Sequence, residues 1–126
     1  MAKTHIGDVR TIGIPVTDQN RALSFYVDKL GFETRLDHSM GNGRRWIEVA
    51  ASGAAVSLAL VPASDDAPAG VETGVRLTSS NADADHAALR TDGVDVDEVL
   101  RWPGVPAMFM FRDQDGNRLE IVERQG

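Results

Sequence analysis

One order of apolar periodicities occurs twice along the chain, and this repeat restricts the fold more than any other feature. From Val9 to Val16, apolar residues largely alternate with Arg10, Thr11 and Gly13, the pattern of a half-buried strand. Thr17 or Asp18 can cap a following helix whose apolar stripe is Ala22, Leu23, Tyr26, Val27 and Leu30, closed by Gly31. Three strands are predicted next, at about Phe32–Met40, Arg44–Ala51 and Ala55–Val61, punctuated by Gly41-Asn42-Gly43 and Ser52-Gly53. After a Pro/Ala/Asp stretch the order returns. A strand is predicted at Val71–Thr78, then a helix capped by Ser80 or Asn81 that runs through Arg90 and is closed by Gly93. Strands follow at about Val94–Trp102, Ala107–Arg112 and Asn117–Glu123, with a turn at Asp113-Gln114-Asp115-Gly116. Asp18 to Gly31 spans thirteen positions and Asn81 to Gly93 spans twelve. Thr11 corresponds to Gly74, and Ala59 to Glu120, so the repeat is about 60 residues long.

A strand–helix–three-strand unit has a sheet face that its single helix cannot fully use. Two such units can share a concave surface. The expectation is therefore an α+β fold. Two βαβββ modules, at about 8–61 and 71–124 with a linker at 62–70, form a curled mixed sheet around a cleft, with helices on the outside. The 126 residues, 42% of them hydrophobic, suit one domain spanning 1–126. Thirteen Lys and Arg against nineteen Asp and Glu give a net charge of −6, which excludes a basic field for nucleic acid. The absence of cysteine removes disulfides, thiolate nucleophiles, iron–sulfur clusters and Cys-based zinc sites. No apolar run approaches a membrane span, and Met1–Thr4 opens no signal peptide. A cytoplasmic domain acting on a small molecule is expected.

Three stretches carry a resemblance to a known superfamily. Ile14-Pro15-Val16-Thr17-Asp18, Ala22-Leu23-Ser24-Phe25-Tyr26 and Leu30-Gly31-Phe32-Glu33 resemble the opening of the vicinal oxygen chelate proteins. That group includes glyoxalase I, extradiol dioxygenases, fosfomycin-modifying enzymes and bleomycin-type resistance proteins. Phe111 to Glu120 is similar to its closing hairpin. The superfamily's enzymes resemble one another in a metal site with one ligand from each of four strands. Carried over, those positions fall on Thr11, Ala59, Gly74 and Glu120, and only Glu120 keeps a ligand type. The resemblance therefore implies no metal and no cofactor. A relocated site from His38, Glu48 and Glu120 is the alternative.

Alternation extends the cleft-facing set to Gly13, Pro15, Ser57, Arg76, Arg118 and Val122. On the third strand Ile47 and Val49 suit the core, which leaves Trp46 and Glu48 for the cleft. His38 and Met40 are expected to face in from the second strand. The superfamily's register puts Met108, Met110 and Arg112 inward, with Phe109 and Phe111 in the core. Trp102, before Pro103-Gly104-Val105-Pro106, is expected on a loop at the cleft mouth. Indole faces and flexible thioethers suit a flat, partly apolar ligand, with Arg112 or Glu48 anchoring a polar edge.

Each residue also has a plainer reading. Trp46 can pack on a neighbouring strand and Trp102 can plug a loop. Met108 and Met110 can fill core gaps, His38 can be an exposed strand residue, and Glu120 can pair with an arginine. His5 and His86 read as tail and helix-surface residues. Asp113-x-Asp115-Gly116-Asn117 reads as a turn rather than a calcium loop. Three functions follow. The leading one is a binding protein, a homodimer by its resemblance, that sequesters an aromatic natural product or antibiotic and confers self-protection without catalysis. The second is a lyase, isomerase or oxygenase with a remodelled metal site, or metal-free acid–base chemistry by Glu120 and His38. The third is a regulatory module with no small ligand.

Overall fold

The computed structural model describes residues 3–125, so Met1, Ala2 and part of the signal-peptide expectation lie outside the described residues. The first module contains β1 (Thr11–Val16), α1 (Gln19–Leu23) and a π-helical continuation (Ser24–Lys29). Strands β2 (Glu33–Gly41), β3 (Arg44–Ala50) and β4 (Ser57–Pro62) complete it. The second has β5 (Glu72–Ser79), α2 (Ala82–Thr91), β6 (Asp95–Val96), β7 (Leu100–Trp102), β8 (Val105–Arg112) and β9 (Arg118–Glu123). The strands form two mixed sheets, ordered β1-β4-β3-β2 and β5-β9-β8-β6, with β7 also on β8. In each sheet the module's first strand lies parallel to its last. The fold is the expected α+β pair of βαβββ modules.

Both helices start on capping side chains. Asp18 accepts from the backbone N–H groups of Asn20 and Arg21, and Asn81 from that of Ala84. Helix α2 closes on a Schellman pair, Val94 N–H to Leu89 O and Gly93 N–H to Arg90 O, with Gly93 at φ +81°. The first helix closes in the same way but one residue wider, through Phe32 N–H to Tyr26 O and Gly31 N–H to Val27 O. The extra residue between Asp18 and Gly31 is thus absorbed as a π turn, the form a single insertion takes in a helix.

Boundaries differ from expectation in three places. Strand β1 begins at Thr11 rather than Val9, which is exposed, and β4 begins at Ser57 rather than Ala55. The strand expected over Val94–Trp102 is broken into β6 and β7. At the break, Asp97 keeps one ladder bond, its N–H to Met110 O, while its carboxylate receives the Arg112 guanidinium. Trp102 consequently ends a strand beside a tight hairpin turn, paired with Val105, instead of lying in a loop.

One apolar cluster joins the modules. Ile14, Val16, Ile47, Val49, Leu58 and Leu60 come from the first sheet, and Val75, Phe109, Phe111, Leu119 and Ile121 from the second. Phe25 on the π turn stacks on Phe111 at 6.4 Å. The core faces of both sheets therefore meet within the chain. A cavity of about 400 Å³ between the modules is lined by core-face side chains such as Ile12, Leu58, Val75 and Leu77.

The closing turn fastens this arrangement. Asp113, buried, accepts from Tyr26 Oη at 2.7 Å, Asn117 Nδ2 at 2.9 Å and the N–H groups of Asp115 and Asn117. Burial, then the Asp113 charge, pushes the Tyr26 hydroxyl far above its usual range, so it stays a donor. Asn117, fully buried, donates to Pro15 O and accepts from Gly70 N–H and Val71 N–H. Asp115 accepts from the backbone N–H and hydroxyl of Thr17. The sequence showed a turn here, and the structure adds that its side chains clamp the first module to the second.

Candidate functional site

Pairing register decides which side chains share a face, because directly opposed residues project from the same side of a sheet. In the first sheet Gly13 opposes Ala59, Ala59 opposes Glu48, and Glu48 opposes Leu36. Trp46 opposes His38 on the same face. In the second sheet Arg76 opposes Glu120 and Glu120 opposes Met110, while Val122 opposes Met108. Ile47, Val49, Phe109 and Phe111 are buried on the other, helix-covered face. The register therefore places Trp46, Glu48, His38, Met108, Met110, Arg112 and Glu120 on the sheet faces opposite the helix-covered core. Met40 is the unpaired residue where β2 bulges beside the Gly41–Gly43 turn, and it is 61% exposed. Trp102 is 52% exposed on its hairpin.

Hydrogen bonds link β4 to β3 on the first face, with Thr11 of β1 beside them. The Thr11 hydroxyl donates to Ser57 O, and the Ser57 hydroxyl lies 3.0 Å from Thr11 Oγ1 and 2.8 Å from Glu48 Oε1. Glu48 Oε2 in turn accepts the indole N–H of Trp46 at 2.7 Å. Trp46 and Glu48 are two residues apart on β3, so strand geometry alone puts them side by side. The donors Trp46 and Ser57 hold the Glu48 carboxyl below its ordinary range against the opposing effect of burial, with Arg10 nearby at 3.9 Å. Arg112 is committed elsewhere. Its guanidinium is bound to Asp97 at 3.1 and 3.2 Å, close to Asp95, and Arg118 beside it pairs with Glu72.

Among the residues that the resemblance gives as metal positions, the fit is poor. Thr11 is engaged with Ser57, Ala59 has no donor atom and is fully buried, and Gly74 sits in a bulge of β5 at φ +73°. Glu120 alone supplies a ligand atom. No group of three or more His, Asp or Glu side chains is placed to hold a metal ion among the described residues. The side chains present do not fit a divalent metal with open coordination positions. His86 departs from the surface reading: it is half-buried, edge-on to Phe109 at 5.0 Å, and bonded to Asp97 O.

The two faces do not meet inside one chain, because the core faces are the ones turned toward each other. Trp46 and Glu48 stand on one outward face, and Met108, Met110 and Glu120 on another. Among the described residues no helix is long and apolar enough to cross a membrane.

Comparison with known proteins places the fold. The structure of TnmS3, an antibiotic-binding protein from Streptomyces sp. CB03234, superimposes with a TM-score of 0.85 at 35% identity, covering 97% of this chain and 99% of that one. A superfamily member from Sphaerobacter thermophilus DSM 20745 gives a TM-score of 0.86 at 32% identity over 96% and 100% of the two chains. The protein YetH of Bacillus subtilis (strain 168) is 28% identical over 122 residues, 94% of this chain and 99% of its own. Residues 5–121 match the family model of these proteins, and the chain belongs to the Glyoxalase/Bleomycin resistance protein/Dioxygenase superfamily.

Proposed function

We propose that this protein sequesters an aromatic natural product, an antibiotic in the favoured case, and protects its cell by capture rather than by chemistry. The observation that carries the reading is the Ser57–Glu48–Trp46 hydrogen-bond chain. Where the superfamily's enzymes resemble one another in a metal ligand, this chain has Thr11, whose hydroxyl donates to Ser57 O, while Ser57 and Glu48 beside it fix an indole on the sheet face. A fixed aromatic face is an affinity device, since its ordering cost is met before the ligand arrives. Across the cleft, Met108 and Met110 offer polarisable surface that adapts to a flat ring system. The similarity to an antibiotic-binding protein at 35% identity supports the same direction.

The outward faces of one chain point apart, so the complete cleft requires a second copy. In this reading the protein is a cytoplasmic homodimer of about 27 kDa, twice 13.6 kDa, in which the first face of one protomer meets the second face of its partner. Trp46, His38, Met40 and Glu48 line one wall, Met108, Met110, Arg112 and Glu120 the other, and Trp102 the rim. Titration of purified protein with a panel of aromatic natural products, followed by tryptophan fluorescence and paired with metal analysis, tests the reading. Saturable quenching by metal-free protein, with the ligand recovered unchanged, is expected. Stoichiometric Ni, Zn, Mn or Fe, or conversion of the ligand, would overturn it.

A further inference from the structure

Glu48 and Glu120 are the buried carboxylates of the two cleft faces, 7% and 6% exposed, and they differ in one respect. Both oxygens of Glu48 have donors, Ser57 on one and Trp46 on the other. Glu120 Oε1 is shielded from solvent and has no hydrogen-bond donor. Its neighbours on the face explain why. Met110, directly opposite, has a thioether without a hydrogen to give, and Arg118, two residues away on β9, is spent on Glu72. Arg76 Nε lies 3.4 Å away, which supplies a countercharge without hydrogen-bond geometry.

A buried carboxylate oxygen without a donor is costly to maintain, and such an acceptor on a binding face is accounted for when a ligand completes it. We infer that Glu120 is the polar anchor of the cleft, and that its ligand is a planar aromatic bearing a neutral hydroxyl group. The inference rests on the aromatic-capture reading above and narrows it. The charge state follows from the surroundings. A cationic ligand group at Oε1 would stand beside the Arg76 guanidinium, and an anionic one would face the Glu120 carboxylate itself. A neutral hydroxyl meets neither penalty and forms a charge-assisted bond of the stronger class. Glu48, with a donor on each oxygen, is a positioning residue for Trp46.

Equilibrium dialysis at neutral pH against 9-phenanthrol and its methyl ether, 9-methoxyphenanthrene, tests this, because the pair differs in the donor while keeping the ring system. The wild-type protein should bind the phenol at least tenfold more tightly than the ether. Glu120→Leu should reduce that preference to under threefold. Glu120→Gln, whose amide oxygen still accepts but carries no charge, should fall between. Thermal melts establish that the variants are folded. If Glu120→Leu does not fold, a drop of at least threefold in the preference of Glu120→Gln carries the test. Equal binding of phenol and ether by the wild type, or a preference that survives substitution, overturns the anchor but leaves aromatic capture standing. Failure of the wild type to bind either compound overturns aromatic capture, and the anchor with it.

Discussion

The indole N–H of Trp46 donates to Glu48 Oε2 at 2.7 Å, so the orientation of the ring is set by a carboxylate on its own strand. This coupling has a pH dependence with a definite sign. The folded Glu48 carboxyl sits below the ordinary value of 4.5, chiefly through the Trp46 and Ser57 bonds. Its contribution to stability is complete above that value and is lost as pH falls through the folded pKa. The melting temperature of the wild type should therefore drop more steeply as pH falls below 4.5 than that of Glu48→Gln, which cannot titrate there. Parallel slopes for the two proteins would remove Glu48 from the acid response.

Removing either indole separates binding from folding. Trp102 is 52% exposed, and truncation to alanine should leave the melting temperature almost unchanged. Loss of a stacking ring should weaken capture of an aromatic ligand by about 1–3 kcal/mol, roughly 5- to 150-fold. Trp46→Ala should give the same loss of affinity with a modest fall in stability, because its partner Glu48 loses a donor. Unchanged affinity per folded molecule in both variants would return the tryptophans to a packing role.

The clamp between Tyr26 and Asp113 predicts large effects far from the cleft. Tyr26→Phe leaves the buried Asp113 short of one donor and should cost about 1–3 kcal/mol in urea unfolding. Asp113→Ala should cost more, since it strips acceptors from Tyr26, Asn117 and two backbone N–H groups together. If Asp113→Ala unfolds at the same urea concentration as Tyr26→Phe, the turn does not fasten the modules.

Gly74 stands where the resemblance puts a metal ligand, yet its backbone is left-handed at φ +73°. Any L side chain there is strained although the space around it is open. Gly74→Ala should lower stability by about 1–2 kcal/mol, read from the shift of the urea midpoint. Rebuilding a metal site through Gly74→His carries the same penalty before any metal binds.

Much of this architecture was legible in the sequence because the period of the apolar residues reports which face is buried. The alternation through Ile47 and Val49 marks the core face of β3, and the register implied by the superfamily resemblance does the same for Phe109 and Phe111 on β8. Even the thirteen-against-twelve spacing of the two helices corresponds to a visible π turn. What stayed hidden depends on contacts between residues far apart in the chain. Asn117 to Pro15 spans 102 positions, and no local pattern marks an asparagine that ties three segments. Arg112 looked like a free anchor because its partner Asp97 lies at the break between β6 and β7, where the sequence predicts one continuous strand. His86 read as a surface residue because its ring reaches Phe109, a neighbour supplied only by the sheet.

The repeated fold carries unequal chemistry, and this gives the proposed cleft a direction. In the first module the carboxylate is on β3 opposite Ala59, and in the second it is on β9 opposite Met110. Walls built from two identical modules would offer a flat guest two indistinguishable ways to lie, head-first or reversed. With an indole held by its own carboxylate on one wall and an unfilled acceptor on the other, the two poses differ in energy. An asymmetric guest therefore takes a single heading. In the proposed cleft, a positional isomer of that guest, with its hydroxyl on the opposite edge, should bind more weakly.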